Sequence, residues 1–493
     1  MKQISLSINM KAWMQHITAA TIIVAAMLLM SCPVSAQSVN DEIEGFTKVK
    51  ELIKSNSDQA TNEVDQLLKG KNKKNPGLLA DIGLAYLEAG KVTEAKEYAS
   101  LARKADAKSS SVYILEGDIA LAEKNVGKAC QLYEQAIYFN PECKEAYLKY
   151  ANAYKNASPQ LAIEKLVELK KLDPSNIQAD QALADVYYSN NQFDKAVEAY
   201  SKFIDSPEST ENDITKYAFA LFLDHKFEKS LDVVQKGLVR NPRNATFNRL
   251  AMYNNADLKR YEEGLQAADK FFNASDKPDF AYLDYLYYGH LLNSTKQYDA
   301  AIEQYQKAMK ADSKKDNLWR EISEVYENKG DYDQAIDSYK KFYSALSADK
   351  QTVDLQLELG KLYYAKGTST DNPEITDEQK QTALKEADAI FADVANKVPD
   401  NYLGNFWRAR VNSALDPETT EGLAKPYYET VISMLNNKNE ARYNSILVEC
   451  YSYLGYYYLV ANKLPESKEY WQKILEIAPE NPTALKALEG IKG

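Results

Sequence analysis

The sequence has few of the residues that catalytic centres and metal sites require. Of its 493 residues, four are cysteine and three are histidine. A zinc site needs three or four ligands that converge at about 2 Å from the metal, and His225 and His290 are too scattered among the thiols to do so. Nucleophile-elbow, dinucleotide-binding and Walker motifs are also missing. The sequence therefore predicts no catalytic residue, no metal site and no cofactor.

Glycine and proline are scarce as well, at 18 and 15 residues, and runs of β-branched residues typical of strands are missing. Apolar residues make up 45% of the chain and charged residues 27%, which is typical of a folded protein. The sequence therefore predicts a folded and mostly helical chain. We expect Cys130, Cys143 and Cys450 to be unpaired and mostly buried.

Basic residues are outnumbered by acidic ones, 60 to 71, which gives a formal net charge of −11. The first 36 residues contain two lysines and no acidic residue, so the rest of the chain carries a net charge of −13. Proteins that bind phosphate groups need a basic surface. The charge balance therefore argues against nucleic acid or anionic lipid as the main ligand.

The amino-terminal residues have the pattern of a targeting segment. An apolar run of 14 residues, Ile17–Met30, follows Lys2 and Lys11 and precedes small residues that end at Ala36. The run is shorter than the roughly 20 residues of a bilayer-spanning helix. The pattern predicts a secretory signal peptide over residues 1–36, cleaved after Ala36.

A second interpretation of this segment stays open. The stretch Leu29–Cys32 resembles a bacterial lipobox, in which Cys32 would be the lipidated first residue of the mature protein, although Met30 is unusual at its position. Both interpretations export the protein. We expect it in the periplasm, either free or anchored by a lipid to the periplasmic side of the outer membrane.

A 34-residue period begins at Pro76. Small and aromatic residues recur at this spacing: Gly83, Tyr86, Ala95, Ala99 and Ala102 are followed by Gly117, Ala120, Ala129, Tyr133 and Ala136. A period of this length, with small residues where two helices would cross, predicts a repeating helix pair. The pattern resembles the tetratricopeptide repeat (TPR).

The resemblance covers residues 76–479 and implies the fold class. We expect an all-α fold, a right-handed superhelical α-solenoid of about eleven TPR-like helix pairs with capping helices at both ends. The small residue of each first helix, called the marker below, recurs along the chain, with Met252 as the one departure. The markers are Gly83, Gly117, Ala151, Ala184, Ala218, Met252, Gly289, Ser323, Gly360, Ala409 and Gly455.

The repeat also predicts the domain boundaries. After the signal at residues 1–36, residues 37–75 are expected to form an amino-terminal capping helix pair, residues 76–480 the solenoid and residues 481–493 a carboxy-terminal capping helix. The spacing widens near residues 366–380 and 415–420, where the polar sequence predicts inserted loops.

One face of the first helices in TPR-like units points into an inner groove. Between residues 145 and 330 this face combines aromatic, amide and charged residues, which favours a binding surface over an inert spacer. The candidate partner-binding residues are Asn152, Asn156, Asp185, Tyr188, Phe219, Phe222, Arg249, Tyr253, His290, Arg320 and Glu324. We predict that alanine at Phe219, Tyr253 or Arg320 weakens partner capture without unfolding the array. In the alternative interpretation, Phe219 and Phe222 only fill the interior of the superhelix.

The resemblance implies a non-enzymatic scaffold or adaptor of the bacterial cell envelope, which binds a peptide or protein partner in its concave groove. Two alternatives stay open: a glycan- or peptidoglycan-associated binding module and, less favoured, an enzyme with an unrecognised site. TPR domains that clamp chaperone termini place a lysine where this chain has Leu148, although Asn152 matches their pattern. No chaperone clamp is therefore expected, and a membrane is involved only through the alternative lipid anchor.

Overall fold

The computed structural model describes residues 45–312, 318–370, 372–436, 438 and 440–492. Within these residues the chain forms 25 α-helices and no β-strand, and a single isolated bridge joins Asn244 and Asp276. The expected fold class, an all-α solenoid of helix pairs, is confirmed. The predicted signal peptide and its Cys32 lie outside the described residues.

The chain divides into two compact units, residues 1–226 and 227–493. The described part of unit 1 contains eleven helices, numbered here in chain order. They are α1 (Phe46–Lys54), α2 (Ala60–Leu67), α3 (Pro76–Glu88), α4 (Val92–Ala105), α5 (Ser110–Ala122), α6 (Val126–Phe139), α7 (Lys144–Tyr154), α8 (Pro159–Leu172), α9 (Ile177–Ser189), α10 (Phe193–Ser201) and α11 (Glu211–Leu223).

The described part of unit 2 contains fourteen helices. They are α12 (Phe227–Arg240), α13 (Ala245–Asp257), α14 (Tyr261–Asp269), α15 (Tyr282–Ser294), α16 (Tyr298–Ala311), α17 (Leu318–Lys329), α18 (Tyr332–Ala345), α19 (Val353–Gly367), α20 (Asp377–Lys397), α21 (Leu403–Leu415), α22 (Lys425–Leu435), α23 (Asn444–Val460), α24 (Leu464–Ile477) and α25 (Pro482–Lys492). Consecutive helices pack against each other within each unit, for example α5 on α6 and α15 on α16. This local packing is typical of repeat proteins, in which each pair contacts only its neighbours.

At four of the glycine markers, Gly117, Gly289, Gly360 and Gly455, an aromatic side chain of the second helix lies against the marker. In unit 1, Gly117 faces the buried ring of Tyr133. In unit 2, a Cβ atom at Gly289 would lie 2.5 Å from Cε1 of the buried Tyr305. Real Cβ atoms do not approach so closely, so a larger residue would displace the ring and separate the two helices.

The turn inside most helix pairs contains one residue in the left-handed conformation. Glycine occupies this position at Gly90 and Gly330, whereas Lys296 adopts a φ of 62° there. The N–H of the next residue, Gln297, donates to the carbonyl of Leu292 at 2.8 Å. This bond is part of a Schellman motif, which ends the first helix at a fixed angle to the second.

The inserted segment in the α19–α20 pair is only partly a loop. The described loop residues are 368–370 and 372–376, and α20 has 21 residues compared with 14 in α18. A capping box starts α20: Thr376 Oγ1 accepts from the N–H of Gln379 at 3.2 Å, and Gln379 Oε1 accepts from the N–H of Thr376 at 2.8 Å. The insertion predicted at residues 366–380 therefore includes helical residues at both ends.

The second insertion runs from residue 416 to 424, longer than the predicted 415–420, and it is organised around a buried carboxylate. Asp416 accepts hydrogen bonds from the backbone N–H groups of Thr420 at 3.1 Å, Glu421 at 3.1 Å and Gly422 at 2.7 Å. Charge-assisted bonds of this kind are stronger than neutral ones. The loop is therefore an ordered element rather than a free excursion.

Helices also occupy the two predicted capping regions. The described part of residues 37–75 contains α1 and α2, whose buried face consists of Phe46, Val49, Ile53, Ala60 and Val64. At the other end, α25 packs on α24 and buries Ala484. Cys130 and Cys450 are buried and Cys143 is half-buried, and all three thiols are unpaired.

Candidate functional site

Most residues on one face of each first helix are not fully buried. Three positions, which lie one, four and five residues after each marker, share this face and are called the groove positions below. In unit 1, Phe222 is the only buried residue at these positions, and in unit 2 Tyr253 is the only one. The helices therefore pack through their other faces and leave this one accessible within each unit.

Asn152 and Asn156 are exposed in unit 1. Asn152 lies in the last turn of α7, and Asn156 follows two residues after the helix ends at Tyr154. Both amides are accessible to a partner. A neutral side chain that both donates and accepts is suited to a peptide backbone.

Asp185 joins two repeats of unit 1. Its carboxylate accepts from Tyr200 Oη at 3.0 Å and from Lys216 Nζ at 2.7 Å, so α9, α10 and α11 meet at one side chain. The half-buried Tyr188 lies one turn further along α9, with its ring centroid 5.9 Å from that of Phe193. Burial raises the pKa of Tyr188 to about 12, so its hydroxyl stays protonated.

Phe219 and Phe222 both lie on α11 but differ in exposure. Phe219 is half-buried, whereas Phe222 is only 8% exposed. Phe222 therefore matches the alternative interpretation, in which it fills the interior, and its placement among partner-facing residues was wrong. Phe219 still has surface that a partner can reach.

Arg249 and Tyr253 lie on α13 and share one buried carboxylate. Arg249 donates to Asp284 from Nε at 2.8 Å and from Nη2 at 2.9 Å, and Tyr253 Oη donates to the same carboxylate at 2.6 Å. Asp284 also accepts from the N–H of Ala281 at 2.7 Å. Although burial alone would lower the pKa of Arg249, Asp284 raises it above its usual value.

Tyr253 cannot contact a partner in this structure. Its side chain is only 2% exposed, and its ring stacks on that of Tyr287 with centroids 4.2 Å apart. Burial and the neighbouring Asp284 raise the pKa of its hydroxyl well above the usual value. In contrast to the prediction from the sequence, we therefore expect alanine at Tyr253 to destabilise the fold, because Tyr253 contacts Asp284 and Tyr287 of α15.

His290 lies on α15 and is bonded to the second helix of its own pair. Its Nδ1 is 3.0 Å from the hydroxyl oxygen of Tyr305. Burial lowers the pKa of His290 to about 4, so its imidazole is neutral near pH 7. In the tautomer protonated at Nε2, Nδ1 accepts a hydrogen bond from the tyrosine hydroxyl.

Arg320 and Glu324 are both exposed on α17. Arg320 donates from Nη2 to both carboxylate oxygens of Glu358 at 2.7 Å, and Tyr339 Oη donates to the same carboxylate at 3.0 Å. Partial desolvation by the neighbouring side chains raises the pKa of Glu324, although Arg320 opposes the shift. Arg320 thus joins successive first helices, and Glu324 remains open to a partner.

The sequence analysis missed the groove positions of the last repeat. Tyr456, Leu459 and Val460 follow the marker Gly455 and are 44%, 37% and 40% exposed. Leu464, at the start of α24, is 40% exposed. The same marker rule would have found these residues had it been applied beyond residue 330.

Unit 2 also contains a third arginine–carboxylate pair between first helices. Arg410 donates to Glu449 from Nε at 2.8 Å and from Nη2 at 2.6 Å. With Arg249–Asp284 and Arg320–Glu358, it forms a set in which one first helix is joined to the next. These pairs stabilise the stack, so their arginines are not free anchors for a partner.

The described residues contain no group of histidine, cysteine, aspartate and glutamate side chains that could hold a metal ion. Across the same part of the chain, no helix has both the length and the apolar character needed to cross a membrane. Helix pairs with an open groove face define an α-solenoid repeat protein.

Two family models for the tetratricopeptide repeat match the chain, one at residues 80–142 and 290–350 and the other at residues 178–209. A stretch of 97 residues is 30% identical to the small glutamine-rich tetratricopeptide repeat-containing protein 2 of Mycosarcoma maydis. That stretch is 20% of this chain and 28% of the length of the curated relative. These matches fall within residues 76–479 and support the tetratricopeptide repeats that the sequence pattern predicted.

Solved structures of repeat proteins are also similar. The carboxy-terminal part of a TPR repeat-containing protein from Cytophaga hutchinsonii is 27% identical and aligns over 56% of this chain and 99% of its own, with a TM-score of 0.45. Yeast Tom70 is 15% identical and aligns over 86% of this chain and 89% of its own, with a TM-score of 0.32.

Proposed function

We propose that this protein is a non-enzymatic scaffold that binds a peptide or protein partner on the groove positions of its first helices. One observation carries the proposal: among these positions only Phe222 and Tyr253 are buried, although the rest of each helix is packed. A helical repeat that served only as a spacer would not require apolar residues on this accessible face. The matches to tetratricopeptide repeat models also support an interaction scaffold.

The open surface differs between the two units. In unit 1 it offers the amides Asn152 and Asn156 beside the half-buried ring of Tyr188. In unit 2 it offers the carboxylate of Glu324 and, further along, an apolar surface that includes Tyr456 and Leu459. A partner segment with apolar anchors fits the second surface, because aromatic and aliphatic contacts contribute most of the binding energy at interfaces.

Site-specific crosslinking in intact cells tests the binding face. A photoreactive amino acid at Glu324 or Leu459 is expected to crosslink to a partner that mass spectrometry identifies. Val239 on α12 is the matched control, since it is 76% exposed but lies on a second helix of the same unit. Equal crosslinking from Val239, or none from Glu324 and Leu459, would contradict the proposal.

Substitutions that reverse or introduce a charge give a second test of the same face. Glu324→Lys and Leu459→Asp are expected to weaken capture of the crosslinked partner at least tenfold while circular dichroism stays unchanged, because both side chains are exposed. Val239→Asp is expected to have no effect. If the variants instead lose binding to purified cell-wall material, the glycan-binding alternative is favoured.

The location is part of the proposal. We propose that residues 1–36 direct export to the cell envelope, on the basis of the charged start, the apolar run and the small residues before Gln37. Mass analysis of the mature amino terminus distinguishes the two processing routes: an amino-terminal Gln37 indicates cleavage after Ala36, and a lipidated Cys32 indicates an anchor. An intact amino terminus in the cytoplasmic fraction would contradict export.

A further inference from the structure

A carboxylate, a tyrosine and a lysine recur together in unit 1. Asp118 accepts from Tyr133 Oη at 2.7 Å and from Lys149 Nζ at 2.9 Å, and these partners lie 15 and 31 residues further along the chain. Asp185 repeats the arrangement at the same spacings, with Tyr200 Oη at 3.0 Å and Lys216 Nζ at 2.7 Å. In both cases the lysine comes from the first helix of the next repeat and neutralises the carboxylate.

Unit 2 contains the same three positions with different chemistry. His290 stands one residue after its marker, as Asp118 and Asp185 do, and Tyr305, 15 residues on, bonds to its Nδ1 at 3.0 Å. The residue 31 positions after His290 is Glu321. The ion pair of unit 1 is therefore replaced by an imidazole and a carboxyl group.

Among the residues that the structure describes, no lysine or arginine forms an ion pair with Glu321 at this junction. Its Oε2 is buried and accepts no hydrogen bond from the residues that the structure describes. His290 cannot supply the missing charge near neutral pH, because burial lowers its pKa to about 4. An ionised and unpaired carboxylate in such a place is costly, so the group keeps a proton instead.

The surroundings of Glu321 also favour its protonated form. Burial is the main cause that raises its pKa to about 7, and on its own helix Arg320 opposes this shift while Glu324 adds to it. Tyr305 of α16 and Tyr282 of α15 are close enough to interact with it electrostatically: burial, and after it the charge of Glu321, raises the pKa of both phenols.

The helix on the other side of α17 offers no compensating charge at this point. On α18, Lys341 lies over the ring of Trp319, 4.7 Å from its centroid, and pairs with Asp337 at 2.6 Å. Beyond it, Glu358 of α19 is paired with Arg320 and acts on Glu324 rather than on Glu321.

We propose that Glu321 is a proton-binding site that controls the junction between the α15–α16 and α17–α18 pairs. Protonated Glu321 packs against the neutral Tyr305 and His290, and the junction closes. Ionised Glu321 is more stable when it is hydrated, so α17 separates from the preceding pair and admits water.

The direction of the pH dependence follows from the raised pKa of Glu321 in the folded chain. The folded chain binds this proton more tightly than an opened junction, where a glutamate titrates near 4.5. The stabilisation is therefore fully present below about pH 4.5 and is lost as the pH rises through about 7. Between pH 6 and pH 8 the opening equilibrium constant of the junction should rise about tenfold.

Hydrogen exchange on the mature chain tests this. Peptides from α15 to α17 are followed at pH 6 and pH 8, after correction for the intrinsic pH dependence of exchange. We expect their protection to fall about tenfold in the wild type and to stay constant in Glu321→Gln, which cannot ionise. Glu262→Gln, an exposed glutamate on α14, is the matched control and should behave as the wild type does. Equal pH dependence in the wild type and Glu321→Gln would overturn the proposal.

A second variant separates the switch from a simple packing role. His290→Asp combined with Glu321→Lys recreates the ion pair of unit 1 at the same spacing. This double variant is expected to keep protection constant between pH 6 and pH 8. A proton titration of the native wild type against Glu321→Gln should also show one extra group that titrates near pH 7. If the difference lies near pH 4.5, Glu321 is an ordinary surface glutamate and the proposal fails.

Discussion

The buried network around Asp284 is expected to be the most sensitive point of unit 2. Tyr253→Phe keeps the ring that stacks on Tyr287 and removes only the hydroxyl, which donates to Asp284 at 2.6 Å. A hydrogen bond to a charged acceptor contributes about 1.5–3 kcal/mol. Asp284→Asn should cost more, about 3–5 kcal/mol, because it leaves the largely buried Arg249 without its charge partner.

A double-mutant cycle identifies the source of this cost. Arg249→Met, Asp284→Asn and the combined variant are compared, and the two single effects should exceed the combined effect by at least about 1 kcal/mol. Arg320→Met is the control. Its pair with Glu358 is half exposed on the arginine side, and we expect it to cost no more than about 1 kcal/mol.

Urea unfolding followed by circular dichroism gives the free energies. Long repeat arrays do not always unfold in one step, so hydrogen exchange of α13 and α15 peptides is measured in parallel to locate the loss. Additive single effects, or a Tyr253→Phe variant as stable as the wild type, would refute the argument. Loss of partner capture by Arg249→Met without loss of stability would instead make Arg249 a binding residue.

Three further substitutions test the fold itself. Gly289→Ala should destabilise unit 2 by about 1–3 kcal/mol, because the new Cβ would lie 2.5 Å from the ring of Tyr305, and urea unfolding measures the change. Lys296→Gly should stabilise it by up to about 1 kcal/mol by relieving a left-handed φ of 62°, and a melting temperature below that of the wild type would contradict this. Asp416→Ala should remove the acceptor of four backbone N–H groups, those of residues 420–423, and cost about 1–3 kcal/mol. Limited proteolysis should then cut between residues 416 and 424 first, and an unchanged cleavage pattern would count against an ordered loop.

Several features followed from the sequence because they depend on contacts within one helix pair. The 34-residue period, the small markers and the aromatic residues that face them are local, and Gly289 with Tyr305 shows how a marker and its ring can be recognised from spacing alone. The sequence therefore predicted the tetratricopeptide repeats and the all-α fold. The partner, the cellular location and the processing site stay predictions.

The tertiary structure decided which residues on that face are free. Tyr253 follows its marker by one residue, as Phe219 does, and Phe222 follows its marker by four residues, as Tyr188 does. Tyr253 and Phe222 are nevertheless buried, whereas Phe219 and Tyr188 are not. This difference in exposure depends on residues more than 30 positions away. Asp284, for example, accepts hydrogen bonds from Tyr253 and Arg249 and so holds both side chains in the interior. Periodicity specifies the direction in which a side chain leaves its helix. Only the packing of the next repeat specifies what that side chain meets there.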